Sequence, residues 1–524
     1  MNKHCNAITA IIGMLCHATS VPELVIELLS HIGISTSTTA IHDMVSSLSS
    51  KSYRELRLLA KTLLAALVYD NFDMDFKSSQ PTVGKLEVTL KHATSVLALS
   101  LLHVVADDLK CSAELWASDP MNPYIPDSVK RPTRMWVDCI APIEDIAPWL
   151  LSPPGPLPSS TPLPNTSAYN APPCPSRFIQ TIAWHFQYML VTFVTPLQHF
   201  TLQLGKPKTV LQIPVMKTTH IPCRTMDINQ STNDAQAQII DNLLAQASIG
   251  DPTDYPHVTD LREHVLLVHG DLGTGERLFA VKQSRSIEDK EMCRLQPVIF
   301  VMGLFHLLMA CAEAIWRMYI EPKEVCTDRE PNSMYNHACG VRPGDSGHIG
   351  SKPSFQMMHE IIHQSAYARM LDCWQVKVKT CLQLTTLEAF AESKLTWDQI
   401  VELSLVLAQT YVDHEHTDNQ EFRNNSLILG RLIQYVKLAH AMKHGDIGRV
   451  KATFLHWVFV FKSVGKHKYV THLVKVMNDL RYVYPERLKY IIGHKRVIEL
   501  TLGVHRRAIR LNWLCNPTGT VDSF

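Results

Sequence analysis

No CxxC pair occurs anywhere in the chain, and its 13 cysteines are odd in number and scattered from Cys5 to Cys515. That argues against a zinc ribbon and against a disulfide framework, and it fits reduced thiols in an intracellular protein, nuclear or cytoplasmic and not secreted. Excess charge of one sign is also missing: 50 lysines and arginines against 49 acids leave +1. No global attraction to nucleic acid or to a membrane surface is built in, so any such signal must be local. A clean apolar run of spanning length is lacking as well. The longest, PVIFVMGLFHLLMACAEAIW from Pro297 to Trp316, opens on proline and contains His306 and Glu313. A buried strand followed by a buried helix fits it better than a membrane segment. The N-terminal MNKHCNAITAIIGMLCHATS carries cysteines in its apolar run and flows into further helical periodicity, so it reads as an amphipathic helix and not a signal peptide. Nor is there an internal repeat of fixed period.

What is present is an ordinary globular composition, 46% hydrophobic and 19% charged, enough for substantial cores in roughly two to four domains. Residues 1–62 read as helices. PELVIELLSHI, a GIS turn and TSTTAIHDMVSSL give the outline of a helix-turn-helix, although the second helix carries no lysine or arginine to meet DNA. Residues 63–320 read as an α/β core. LLAALVYDNFDMDFK (63–77) is an apolar run ending in Asp70, Asp73 and Asp75; 86–104 alternates as one or two strands; EHVLLVHGD (263–271) is a second buried strand ending in an acid. The proline-rich stretch over about 141–178 can sustain neither a helix nor a central strand and reads as an exposed insertion. From 321 to 524 apolar residues recur at three- and four-residue spacing, which predicts a large helical region.

The stretch LVHGDLGTGERL (267–278) decides which chemistry is open. Gly270 and Gly275 have P-loop spacing, but Glu276 and Arg277 stand where a lysine and a hydroxyl residue are needed, and the glycines at 270, 273 and 275 do not make GxGxxG. A metal reading fares better. Asp70 and Asp271 both end buried strands, and rigidly held carboxylates suit Mg2+ or Mn2+, with Asp73, Glu276 and Glu313 as further acids. The competing local reading is that Asp271 starts a glycine turn and Asp70 caps a strand. A second motif, HEIIH, sets His359 and His363 on one helix face with Glu360 between them, the pattern of a zinc peptidase, without the glycine and third histidine of the metzincins. Finally, Lys462 to Arg510 is strongly basic with interleaved tyrosines, and Lys462, Lys466, Lys468, Lys475, Arg481 and Arg487 make a nucleic-acid footprint or a solvated helical face.

Taken in order, YDNFDMDFK with PTV after it, CSAELW, VHGDLGTGERL, GLFHLLMACAEAIWRMYI, KPSFQMMHEIIH with LDCW, HAMKHGDIGRV, FKSVGKHKYVTHL and LNWLCNPTG resemble domain of unknown function 6589, a family abundant in basidiomycete fungi. The family's members look like products of mobile elements, and the resemblance implies a ribonuclease H-like core with a D-D-E layout similar to that of transposases. On it, Asp70 lies on the first strand and Asp271 on the fourth, Glu276 or Glu313 supplies the third acid, and the partner is DNA. Catalysis would then rest on Asp70, Asp271 and Glu313, and metal holding on Asp70, Asp73, Asp271 and Glu276. A non-catalytic DNA-binding or interaction protein on the same scaffold is the alternative, and a zinc peptidase a second. The chain departs from the family pattern at Lys451, which replaces an acid, and in about eighteen residues near 489–506 that read as an insertion.

Overall fold

The structure, a computed structural model, describes residues 7–75, 90–135, 138, 177–213, 218–320, 334–349, 353–412, 419–494, 497–499 and 508–510, apart from residues 103 and 394. The proline-rich segment up to residue 176 lies outside the described residues, as does most of the expected insertion near 489–506. The protein is mainly helical, with one small mixed sheet of five strands. It forms two compact units, one from Met1–Lys130 and Thr218–Met302, the other from Arg131–Lys217 and Gly303–Leu511. The N-terminal helices thus go with the sheet, and the helix that follows the last sheet strand goes with the helical unit.

The first unit opens with three helices, α1 (Ala7–Ala18), α2 (Glu23–His31) and α3 (Thr38–Lys61). Ser37 caps α3 by accepting from the Ala40 amide. The sheet begins with β1 (Ala65–Asp75) and β2 (Leu90–Ser100). After α4 (Arg177–Phe193), which belongs to the second unit, come β3 (His220–Pro222), α5 (Asn233–Ala247), β4 (Leu266–Gly270), α6 (Leu272–Ser284) and β5 (Val298–Met302). The strand order is β3-β2-β1-β4-β5. β2 runs antiparallel to both β1 and β3, whereas β4 runs parallel to β1 and β5 parallel to β4.

Strand alternation explains the burial. Leu67 and Tyr69 point to one face, where they join Leu56 and Ala60 of α3 and Ile239, Ile240 and Leu243 of α5 in a single apolar cluster. Each such leucine or isoleucine stabilises the unit by about 1.5–3 kcal/mol. Ala66, Val68 and Asp70 point to the other face, and all five residues of β4 are buried.

The glycine-rich stretch after β4 is a helix from its first residue, not a turn. Asp271 is the N-cap of α6, its carboxylate accepting from the Thr274 amide at 2.6 Å, and that bond offsets the poor helix propensity of Gly273 and Gly275. Gly275 is needed for closeness: a Cβ there would lie 2.3 Å from Cε1 of Phe300 on β5. Gly275→Ala is therefore expected to cost about 1–3 kcal/mol by overpacking. Urea unfolding would show it, with a smaller cost in a Phe300→Leu background; equal costs in the two backgrounds would reject the contact.

The second unit packs α4 with α7 (Leu304–Tyr319), α8 (Phe355–Leu382), α9 (Trp397–Val412), α10 (Gln420–Lys443), α11 (Ile447–Ser463), α12 (His467–Asn478) and α13 (Glu486–His494). Its core holds Phe186, Trp374, Tyr435, Trp457 and Phe461. The Trp374 indole donates to the Phe186 carbonyl at 2.9 Å, and the Gln187 amide to the Ser404 hydroxyl at 2.7 Å, so these two polar groups taken into the core are paired, whereas the Trp457 indole has no hydrogen-bond acceptor among the described residues. No helix among the described residues is long and apolar enough to cross a membrane, and every cysteine among them is a free thiol.

Candidate functional site

The parallel register of β1 and β4 pairs Val68 with His269. Two residues further along, on the same face of the sheet and at the C-terminal end of β4, stand Asp70 and Asp271. Neighbouring strands lie about 4.8 Å apart, so the two carboxylates leave adjacent backbones in the same direction.

A short hydrogen-bond chain ties them together. The Gln230 amide donates to Asp70. The Thr274 hydroxyl donates to Gln230 Oε1 at 3.2 Å, and the Thr274 amide donates to Asp271. Gln230 is itself positioned by Gln236, whose amide donates to the Gln230 carbonyl at 2.8 Å and whose Oε1 accepts from the Tyr69 hydroxyl at 2.7 Å. At the same end of the sheet, Arg277 is fixed by donation from Nε to the Ser231 carbonyl at 3.0 Å. Gln230, Ser231 and Thr274 are not marked by the sequence, and Arg277 enters there only as a residue that excludes a P-loop. The stretch DINQSTND that holds two of them has no periodicity and no motif to mark it.

The electrostatics follow from burial. Asp70 is 8% exposed, and burial first, then the negative charge of Asp271, push its carboxyl up to about 7, against the opposing bonds from the Asn71 amide and Gln230. Burial likewise raises the Tyr69 hydroxyl, with Asp271 adding to the shift and Arg277 opposing it. Asp70 does not end its strand as expected but stands in the middle of β1, and Asp271 follows the last residue of β4. Two carboxylates that repel each other on such rigid supports fit a hard divalent cation, which needs only one or two carboxylates when it keeps part of its water shell. Among the described residues no group of three His, Cys, Asp or Glu converges on a metal position.

The remaining expected residues are distributed otherwise. Asp73 is three residues beyond Asp70, hence on the opposite face of β1, where its carboxylate meets His92 at 2.6 Å across the antiparallel register. Glu276 is half-buried on α6. Glu313 is in the second unit on α7, ion-paired with Lys466 of the expected basic stripe. Lys462, Lys468, Lys475, Arg481 and Arg487 are exposed, Lys475 being paired with Asp479 at 3.0 Å.

HEIIH does lie on a helix, and the His359 and His363 rings are 4.2 Å apart. One nitrogen of each ring is hydrogen-bonded. His359 Nδ1 shares a hydrogen bond with the Tyr435 hydroxyl at 2.8 Å, and His363 Nδ1 bonds the His359 carbonyl at 2.8 Å. Glu360, the would-be base, is ion-paired with Arg342.

The HGDIGRV motif has a structural role that the residues make plain. Asp446 caps α11 by accepting from the Arg449 amide at 3.1 Å, accepts also from the amides of Val210 and Leu211, and is ion-paired with Arg449 at 3.3 Å. Arg449 in turn donates to the Lys208 carbonyl at 2.7 Å. The motif straps the segment over residues 208–211 to the start of α11.

No curated protein and no solved structure matches the chain. A family model does: the family of unknown function DUF6589 matches residues 163–524, well over half of the chain, a span that includes Asp271, HEIIH and HGDIGRV and leaves out Asp70. The chain therefore belongs to the DUF6589 family.

Proposed function

We propose that the protein is a mobile-element-derived, metal-dependent phosphodiester-cleaving or strand-transferring protein acting on DNA, with its chemistry at Asp70 and Asp271. The observation that carries this reading is the bridged pair itself, one carboxylate on β1 and one at the residue that follows β4, each two residues beyond the paired Val68 and His269, joined through Gln230 and Thr274. The strand order supports it: of the five strands only β2 is reversed, the arrangement of a ribonuclease H-like sheet, with Asp70 on the first strand and Asp271 at the end of the fourth. That support is an analogy of fold, and the argument for function rests on the pair.

Asp70 and Asp271 would hold Mg2+ or Mn2+, which when bound supplies a charge that polarises the scissile phosphoryl group and lowers the pKa of water. The chain's own contribution is orientation. The Asn71 amide, donating to Asp70 Oδ1 at 2.8 Å, with the Gln230 amide, and the Thr274 amide, donating to Asp271 Oδ1, hold the two carboxylates in place. Arg277, anchored at its Nε, presents the rest of its guanidinium at the same end of the sheet, where it can take a phosphate oxygen.

The test is nicking of supercoiled plasmid by the full chain in Mn2+. Asp70→Asn and Asp271→Asn should each lower the rate by about 100-fold or more, since loss of a ligand removes several kcal/mol of transition-state stabilisation. Neither should lower the unfolding temperature, because asparagine caps a helix as well as aspartate does and Asp70 is a carboxylate whose ionisation is opposed by burial. Unchanged nicking in both variants sinks the catalytic assignment. Absence of nicking in the parent chain, with DNA still bound, leaves a non-catalytic DNA-binding protein.

A further inference from the structure

Tyr482 lies in the π-helical turn Asp479–Val483 that follows α12. Its ring carries two guanidinium groups. Arg134, distant in sequence, sits over it with Cζ 4.0 Å from the ring centroid, and Arg481 has its Cζ 5.2 Å from the same centroid. The arrangement is braced on both sides: the Tyr482 hydroxyl donates to the Asp138 carbonyl at 2.7 Å, and the Asn478 amide donates to the Arg134 carbonyl at 3.3 Å.

Two like charges are thereby held together on one aromatic ring, which costs free energy unless an anion joins them. The nearby acids do not serve. Asp479 is paired with Lys475 at 3.0 Å, Glu486 with Lys489 at 2.5 Å, and Asp138 accepts from the Met135 amide at 2.8 Å. Among the described residues neither arginine has a carboxylate partner, and both are exposed. Exposed Lys468 and Arg487 lie on the same segment of the chain.

We infer that the Arg134–Tyr482–Arg481 stack is a binding site for the phosphodiester backbone of nucleic acid. Planar guanidiniums fixed by stacking lose little freedom on meeting phosphate oxygens, and each can bond in bidentate fashion. Two of them on one ring are close enough to serve consecutive phosphates. Since the ring is already engaged by two arginines, the site grips backbone and reads no base, so binding should be strong in its salt dependence and weak in its sequence preference. Of the three residues only Arg481 belonged to the basic footprint legible in the sequence. The inference rests on DNA being the substrate class, but it concerns binding and not cleavage.

Fluorescence anisotropy with a labelled 30-nucleotide DNA, in EDTA and on the full chain carrying Asp271→Asn, keeps the two apart. The double variant Arg134→Ala/Arg481→Ala should bind roughly 10- to 100-fold more weakly at 100 mM salt. The slope of log K against log salt should fall by roughly 2. Tyr482→Leu, which keeps both charges but removes the ring that gathers them, should lose roughly threefold. Thermal unfolding of both variants should match the parent, as expected for exposed side chains. An unchanged slope in the double variant overturns the site whatever the outcome of the nicking assay. So does equal competition by polyglutamate at equal charge, which would mark the stack as a surface for acidic protein.

Discussion

Gly448→Ala should destabilise the second unit by about 3 kcal/mol or more. A Cβ at this position would lie 2.6 Å from the backbone nitrogen of Leu211, 2.7 Å from its Cβ and 2.7 Å from Cγ1 of Val210. Backbone cannot swing aside as a side-chain end can, so the segment over 208–211 must lift from the start of α11. When it lifts, the Val210 and Leu211 amides no longer donate to Asp446, which is 2% exposed and would keep only its own helix and Arg449 as partners. A buried carboxylate that loses two donors is costly beyond the overlap itself. Urea unfolding followed by tryptophan fluorescence would measure the change, with Trp457 on the same helix as a reporter. Asp446→Ala should cost a similar amount, and the two substitutions together should fall well short of additive, because each removes the same strap. A cost below about 1 kcal/mol for Gly448→Ala, or full additivity, would dismiss the strap as an energetic element.

The same residues show what the sequence made legible. The apolar run of β1, the alternation in β2, the buried strand β4 and the strand–helix pair over 297–320 all follow from period and composition, and the structure places them within a few residues of expectation. The helical C-terminal region follows likewise from its apolar spacing. Asp271 could be read as a strand end; Asp70 could be placed on its strand but not within it, since β1 runs on to Asp75, and the pairing that brings the two together depends on which strands neighbour each other. The face of Asp73 was within reach: an odd offset from Asp70 on one strand means opposite faces. The start of α6 was hidden by its glycines, whose low propensity is overruled by the Asp271 cap and by packing against Phe300. Contacts between distant segments left no trace at all. Neither the pairing of Glu313 with Lys466 nor the meeting of Arg134 with Tyr482 is written in any local pattern.

Acid should unfold the second unit well above the pH at which its carboxylates titrate. His185 of α4 is fully buried, and His440 of α10 and His444, the residue that caps the C-terminus of α10, stack with ring centroids 4.0 Å apart, His440 lying edge-on to His185 at 5.5 Å. Burial first, then the positive charges of Arg449 and Lys437 with His363 and His444, bring His185 down to about 3. Burial, then His185 and His444, with Arg449 and Lys443, bring His440 down to about 2. Asp446 is engaged by Arg449 and by backbone amides, so the acid nearest in sequence is already committed. The sign follows from these directions. Both histidines have folded values below their unfolded value of about 6.5, so the neutral rings contribute their full stability above that pH and lose it as pH falls toward the folded values. Each uncoupled histidine would drain about 1.4 kcal/mol per pH unit below 6.5, and two coupled ones somewhat less than twice that. By pH 4.5 the loss amounts to several kcal/mol, comparable with the whole stability of an ordinary domain at about 5–15 kcal/mol. Circular dichroism melts between pH 7.5 and 4.5 should show the transition falling steeply from about pH 6. Carboxylates contribute to any acid transition, so the informative quantity is a difference: His440→Gln should flatten the dependence between pH 6 and 4.5 by close to one proton. Parallel profiles for the parent and His440→Gln would show that the buried imidazoles do not set the acid limit.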